Sequence, residues 1–298
     1  MSATAGGVFK TNEGLPEKFG LERIRNTPIC ENGFLGVALG MAVTGMRPVA
    51  EIMFSDFLPT AADAIVNELP KFRFMSGGQC VVPVTVRSIG GATGRFGTQH
   101  SATGESWYMG LPGLKVATAG TPATAYGVLR AAIRDDDPVL FFEHKKMYRS
   151  VRGDVPDTDY VVPLGRAAVT HPGSQITVIA YGLMAHYALE AADRVADDGI
   201  SVEVVDVRTL RPLDSETILE SVRKTGKCLI VYEDNRFGGY GAEIAAIVAE
   251  EAFDYLDGPV TRVAGPDVPG VPYNHALEEW FMVSPEKIAD AIRTLAAY

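Results

Sequence analysis

Cysteine is scarce in this sequence: Cys30, Cys80 and Cys228 are its three thiols, far apart and odd in number. No CxxC pair and no Cys/His cluster accompanies them, which excludes a disulfide framework and a zinc site. Scattered thiols of this kind fit a reducing cytoplasm. Long apolar runs are also missing. No stretch of about 18 or more apolar residues occurs, so no membrane span is predicted. The opening MSATAGGVFK has neither an apolar core nor an Arg-rich amphipathic pattern, so no targeting signal is expected. Positive charge is in deficit, with 27 Lys and Arg against 37 Asp and Glu and a net charge of -10. That balance argues against a duplex nucleic-acid partner. No P-loop, GxSxG elbow or HExxH helix is present.

What remains is the composition of a globular protein: 298 residues, 47% hydrophobic and 21% charged. The length suits two domains. In the first, 1–155, strands are expected at 47–54, 80–88, 114–120 and 138–144. A helix is expected over 60–75, interrupted by Pro70, and another over 121–136, opened by Thr121 and Pro122. The segment 90–101, GGATGRFGTQHS, is too rich in glycine for a helix and reads as a loop. A polar, proline-bearing stretch at 150–164 reads as a linker, and the second domain follows over 156–298. There, strands at 175–182, 201–210, 227–234 and 259–265 alternate with helices at 184–198, from Pro212 to Thr225, at 239–256 and at 284–297. Ser284 reads as an N-cap, with Glu286 close behind. Strands alternating with helices imply an α/β fold, each domain a mostly parallel sheet flanked by helices.

Chemistry concentrates in a few places. The segment 27–45, TPICENGFLGVALGMAVTG, places small residues at Gly36, Ala38, Gly40, Ala42 and Gly45, the pattern of a helix that closely approaches another backbone. Glu31 stands at its start among apolar neighbours. It reads either as a functional acid or as a cap for the helix dipole and its orphan N–H groups. His100 lies in the glycine-rich loop, where it reads as a proton-exchanging group or as an ordinary loop histidine. Phe54 and Phe57 read as core aromatics or as a surface for a planar ligand. The segment 235–244, NRFGGYGAEI, lacks GxGxxG spacing, so its glycines are assigned to a tight turn and not to a dinucleotide loop. Asp135, Asp136 and Asp137 read as a cation site or as a solvated helix end.

Taken in order, GGVFKTNEGL (6–15), TPICENGFLG (27–36), GMRPVAEIMF (45–54), TQHS (98–101), LPGLKV (111–116), AAIRDDDPVLFFEHKKMYR (131–149), VVDVRTLRPLD (204–214) and KTGKCLIVYED (224–234) resemble the β subunits of thiamine-diphosphate-dependent 2-oxoacid dehydrogenase E1 components. These serve pyruvate, branched-chain and acetoin dehydrogenases. The resemblance implies a pyrimidine-binding domain followed by a transketolase C-terminal-like domain. It also implies that Glu31 hydrogen-bonds N1′ of the cofactor's aminopyrimidine, that Phe57 packs on that ring, and that Ile29 lines it. His100 matches the family histidine that acts on the substrate or on transfer to the lipoyl group. A structural potassium ion held by carbonyls of Val84, Ala132, Ile133, Asp135 and Asp137 is implied as well, and main-chain oxygens suit such a hard cation.

The GDG…N signature for Mg²⁺ and diphosphate does not occur in the sequence. The resemblance then implies an E1 α subunit that supplies that half, an α2β2 heterotetramer with cofactors shared at its interfaces, and acyl transfer to the lipoyl domain of an E2 partner. A non-catalytic assembly subunit and an acetoin dehydrogenase β subunit are the alternatives. Two departures stand out. The family's N-terminal helix and the strand with a GED-like turn would lie before residue 6, so an active-site acid and a sheet edge are expected to be missing. The family's Asp-Gln after the aromatic reads Asp63-Ala64 here.

Overall fold

The structure, a computed structural model, describes residues 6–298. Residues 1–5, where the sequence reading starts the first domain and looks for a targeting signal, lie outside the described residues. Two five-stranded sheets organise the chain. The first runs in the order β1 (Val49–Ile52), β2 (Thr85–Gly90), β4 (Val139–His144), β3 (Lys115–Thr118) and β8 (Thr209–Arg211). The second runs β10 (Thr261–Gly265), β9 (Cys228–Asn235), β6 (Ile176–Ala180), β7 (Val202–Asp206) and β5 (Ala168–His171). Each has a parallel body and one antiparallel edge: β8 on β3, and β5 on β7.

Strands such as ITVIA of β6 and VEVVD of β7 are buried along their whole length, as parallel strands covered on both faces must be. Helices Leu183–Ala196 and Pro285–Ala296 cover one face of the second sheet, and Ser215–Thr225 and Gly241–Glu251 cover the other. The expected helix starts are capped as read. Thr121 and Thr124 form a capping box, and Ser284 accepts the N–H of Lys287. Within 151–167 no helix or strand forms. This stretch runs along helix Pro122–Arg134, where the Val162 N–H donates to the Gly127 carbonyl at 3.1 Å.

Several expectations need correction. The strand expected at 201–210 is two strands, because Arg208 adopts a left-handed φ of 59° and turns the chain after Asp206. β8 then crosses to the first sheet, so the second half of the chain supplies an edge to the first half's sheet. The helix expected over 60–75 is a 3-10 turn at Ser55–Ala61, a π-turn at Ala64–Glu68 and a short helix at Phe72–Met75. Pro59 lies inside the 3-10 turn, and Pro70, between the π-turn and the short helix, denies the segment continuous backbone bonding. The strand expected from residue 80 begins only at Thr85, since Val82 donates its N–H to the Asp136 carbonyl at 3.0 Å. β5 and the helix His275–Phe281 were not anticipated from the pattern. The glycine pair Gly239 and Gly241 gives room to the buried Tyr232 ring, which added Cβ atoms would approach to 2.5 and 2.2 Å.

The carboxyl ends of the two sheets meet. His144, at the end of β4, contacts Glu233 of β9 at 2.7 Å, and Lys146 N–H donates to His144 Nδ1 at 3.2 Å. With Nδ1 accepting, the ring proton sits on Nε2 and is given to the carboxylate. Beside them a cavity of about 40 Å³ is lined by Gly91, Glu105, His144, Tyr181 and Glu233. Tyr181 donates its hydroxyl to the buried Glu105 at 2.7 Å.

Burial, then the nearby Asp234 charge, pushes the Glu105 pKa up to about 8. An acid whose pKa is raised on folding contributes stability that is complete below its unfolded value and is lost as pH rises through the folded one. Unfolding free energy should therefore fall between about pH 4.5 and 8. Glu105→Gln should remove that slope in urea titrations at a series of pH values; an unchanged slope would refute the assignment.

Candidate functional site

Glu31 is the first residue of helix Glu31–Val43, and the N-cap, Cys30, offers no side-chain cap. An acid in this first turn suits the helix dipole. Its carboxylate is half-buried and has no side-chain hydrogen bond or ion pair among the described residues. Solvent access removes the cost that an unpaired acid would carry in an apolar interior. Asn32 anchors the helix start by accepting the Ala64 N–H at 3.0 Å. Leu35 and Leu39 then pack with Leu58, Ala61 and Ile65, and Phe57 lies against the same cluster. The close backbone approach expected of the glycines is not made among the described residues. Gly36 and Gly40 face open space, Val37 is 62% exposed, and Ile29, just before the helix, is 67% exposed.

Phe57 and His100 are brought together. The His100 ring stands edge-on to Phe57 at 5.5 Å and to the buried Phe54 at 4.7 Å. Glycines in the loop make room for the protein itself. Gly91, at φ +92°, would place a Cβ 2.0 Å from His144, and Gly97, at φ +78°, would place one 2.0 Å from the Tyr273 ring. Because the loop lacks regular structure, its N–H groups need other acceptors. Carboxylates supply them: Glu233 takes Ala92, Glu278 takes Arg95, Asp56 takes Ala102 and Asp234 takes Ser106. Three of those acids belong to the second half of the chain. Burial raises the Asp56 pKa, opposed by the Ala102 N–H. Lys145 lies buried among these groups and donates to the His100 carbonyl and to Ser101 Oγ.

The carbonyl set Val84, Ala132, Ile133, Asp135 and Asp137 clusters at the opposite, amino end of β2 and β4. Val84 accepts the Val139 N–H at 2.9 Å, and Ala132 accepts that of Asp135 at 3.3 Å. Arg47 donates to the Ile133 and Asp135 carbonyls at 3.4 and 2.8 Å. Each carbonyl has a second lone pair, so the donor set fits a hard cation. The three aspartate side chains are paired instead, with Lys115, Arg47 and Arg73. They stand at the C-terminal end of helix Pro122–Arg134 with Asp136 exposed, in line with the solvated helix end.

For a flat nitrogen heterocycle the fit lies at the other end. The unpartnered Glu31 carboxylate and the exposed Ile29 stand at the start of a helix whose outer face is open, and the half-buried Phe57 lies against its inner side. Nothing comparable for a diphosphate accompanies them in the sequence. Ligands of open α/β sheets bind at the carboxyl ends of strands, where Phe54, Gly91 and His144 lie. Lys145, Glu233 and Glu278 were missed from sequence. The available signal was weak: polar residues, Glu143 to Lys146, at the end of an otherwise apolar strand.

Comparison with known proteins follows this division. Residues 1–151 match the transketolase pyrimidine-binding domain, and residues 165–288 match the transketolase C-terminal domain. The chain is 47% identical to the 2-oxoisovalerate dehydrogenase β subunit of Bacillus subtilis (strain 168), covering 98% of this chain and 90% of that one. It is 42% identical to the chloroplastic pyruvate dehydrogenase E1 component subunit beta-2 of Arabidopsis thaliana, over 97% and 71% of the two chains. It is also 42% identical to the Bacillus subtilis acetoin:2,6-dichlorophenolindophenol oxidoreductase β subunit, over 95% and 82%. A solved split-gene transketolase, described as an inactive β4 tetramer, superposes with a TM-score of 0.78 at 25% identity, covering 98% of this chain and 89% of that one. Both domain types are present here in order, relatives of this kind match over nearly the whole of this chain, and the chain belongs to the β-subunit family of 2-oxoacid dehydrogenase E1 components.

Proposed function

We propose that this chain forms the pyrimidine half of a thiamine diphosphate site in an E1 α2β2 heterotetramer. The assembled enzyme would oxidatively decarboxylate a short-chain 2-oxoacid and pass the acyl group to the lipoyl domain of E2. The observation that carries the reading is Glu31, unpartnered on a helix whose outer face is open and whose inner face packs against the turn bearing Phe57. An α subunit would cover that face, where Gly36 and Gly40 permit close approach, and would bring the Mg²⁺ and diphosphate site. The unpaired thiols and the lack of any helix long and apolar enough to cross a membrane among the described residues support a cytoplasmic setting.

When bound, the cofactor supplies a carbon acid whose deprotonation starts the reaction. Glu31 would hold the ring at N1′ and share a proton there, tuning the basicity of the far side of the ring. Phe57 would pack on the ring and Ile29 would line it, both excluding water. His100, held edge-on to Phe54 and Phe57, would give or take a proton at the substrate or at the arriving lipoyl sulfur. The five carbonyls at the other end of the sheet would hold potassium in a structural role.

In the complex reconstituted with its α partner, thiamine diphosphate and Mg²⁺, Glu31→Gln should lower turnover of pyruvate and of 2-oxoisovalerate by about 10²- to 10⁴-fold, the usual worth of one acid–base group. A fully active variant would exclude this role for Glu31. His100→Ala should slow acyl transfer to a lipoyl domain by a factor in the same range of about 10²- to 10⁴-fold. Equal transfer rates in variant and wild type would remove His100 from the chemistry. Melting temperature should be higher in potassium chloride than in choline chloride at equal ionic strength; identical values would remove the cation site.

A further inference from the structure

The loop that carries His100 is held almost wholly through its donors. Its N–H groups at Ala92, Arg95, Ala102 and Ser106 go to carboxylates, and none of those contacts fixes the peptide of His100 itself. At that peptide the His100 N–H reaches only the Gly97 carbonyl, at 3.3 Å within the loop. The carbonyl is taken by Lys145, which follows the last residue of β4 and is 4% exposed. The same ammonium donates to Ser101 Oγ at 3.3 Å. It also lies 4.7 Å from the centre of the Phe96 ring and 5.7 Å from that of Phe54, the ring against which His100 stands.

We propose that Lys145 is the positioning residue for His100: its ammonium fixes the His100 peptide from a rigid strand end and thereby sets the imidazole against Phe54 and Phe57. The inference rests on the reading of His100 as an acid–base group. Strand β4 is paired on both sides, by β2 and β3, and the Lys145 N–H itself donates to the Gly90 carbonyl at 3.1 Å, so the anchor is tied to the ends of two strands. A long, rotatable ammonium with three donors can serve a carbonyl, a hydroxyl and two ring faces together. The carboxylates facing it come from separate elements: Asp56 from the 3-10 turn, Glu233 from β9 and Glu278 from helix His275–Phe281, with His100 the titratable group of the loop. Burial pulls the Lys145 pKa down to about 8 against the pull of those acids. The ammonium is therefore charged at neutral pH and loses its proton as pH rises through that value, and with it the grip on the carbonyl.

The test uses the reconstituted complex with 2-oxoisovalerate and a lipoyl domain, comparing Lys145→Met, Lys145→Arg and His100→Ala. Methionine keeps bulk between Phe54 and Phe96 but carries no charge. It should slow lipoyl transfer by about 10²-fold at neutral pH, the scale of a misplacement of about 1 Å, with KM for the 2-oxoacid unchanged. Amide exchange over 97–104, read by mass spectrometry, should become about tenfold faster as the loop opens locally. Arginine, which stays charged, should restore both and abolish the wild-type fall in transfer rate as pH rises through about 8. A methionine variant with wild-type transfer and exchange overturns the proposal. So does an arginine variant that keeps the alkaline fall at the same pH. A fully active His100→Ala sinks the reading beneath it, and that failure is recognised because it appears in the histidine variant.

Discussion

A loop with no backbone ladder of its own is held by carboxylates drawn from both halves of the chain, and the candidate site depends on that arrangement. Every buried N–H left without an acceptor costs about 1–3 kcal/mol, and hydrogen bonds to charged groups contribute about 1.5–3 kcal/mol each. Glu233 meets that demand for the buried Ala92, and Glu278, Asp234 and Asp56 give charged acceptors to the less buried amides of Arg95, Ser106 and Ala102. Gathering acids around one loop would be self-defeating without counter-charge. Lys145 supplies it, and the Nε2–H of His144 gives Glu233 a neutral donor, so the cluster is satisfied as a unit.

This makes the loop a property of the assembled two-domain chain. Its residues lie in the first half of the sequence, but Glu233, Asp234 and Glu278 lie in the second. Tyr273 also packs under Gly97. β8 tightens the dependence, since an edge of the first sheet is built from residues 209–211. An isolated first domain would lack that edge and the acceptors of three loop amides. The stretch 151–167 therefore separates the halves in sequence far more than in mechanics.

The sheets were legible because their strands carry unbroken apolar runs, and helix starts such as Thr121-Pro122 and Ser284-Pro285 carry their caps in the sequence. The split at Arg208 was not, since VEVVDVRTL reads as one strand and only a left-handed arginine divides it. The segment 60–75 was misread because a π-turn and Pro70 replace an ordinary helix, and Asn32 accepts the Ala64 N–H where the π-turn begins. Glu31, Phe57 and His100 could be singled out as residues of unusual type in unusual places. Lys145, Glu233 and Glu278 could not, because their meaning lies in pairings across 45 to 183 positions.

Helix Glu31–Val43 shows how a site can be prepared and left open by the same chain. Its inner side is committed: Leu35, Ala38, Leu39 and Ala42 are buried, and Asn32 locks the first turn to Ala64. Its outer side carries Gly36, Val37 and Gly40 with nothing against them among the described residues. Glycines within a helix cost about 0.5–1 kcal/mol each relative to alanine, so two of them facing outward weaken the helix without any return inside this chain. In the proposed assembly the return comes from the α subunit, whose surface would approach more closely than a Cβ would allow. Such a surface would also close over Ile29 and the first turn, and would exclude water from the carboxylate of Glu31. Rigid placement from within and desolvation from without are separate requirements of the role proposed for Glu31. Here the first is met by the chain's own packing and the second is left to a partner.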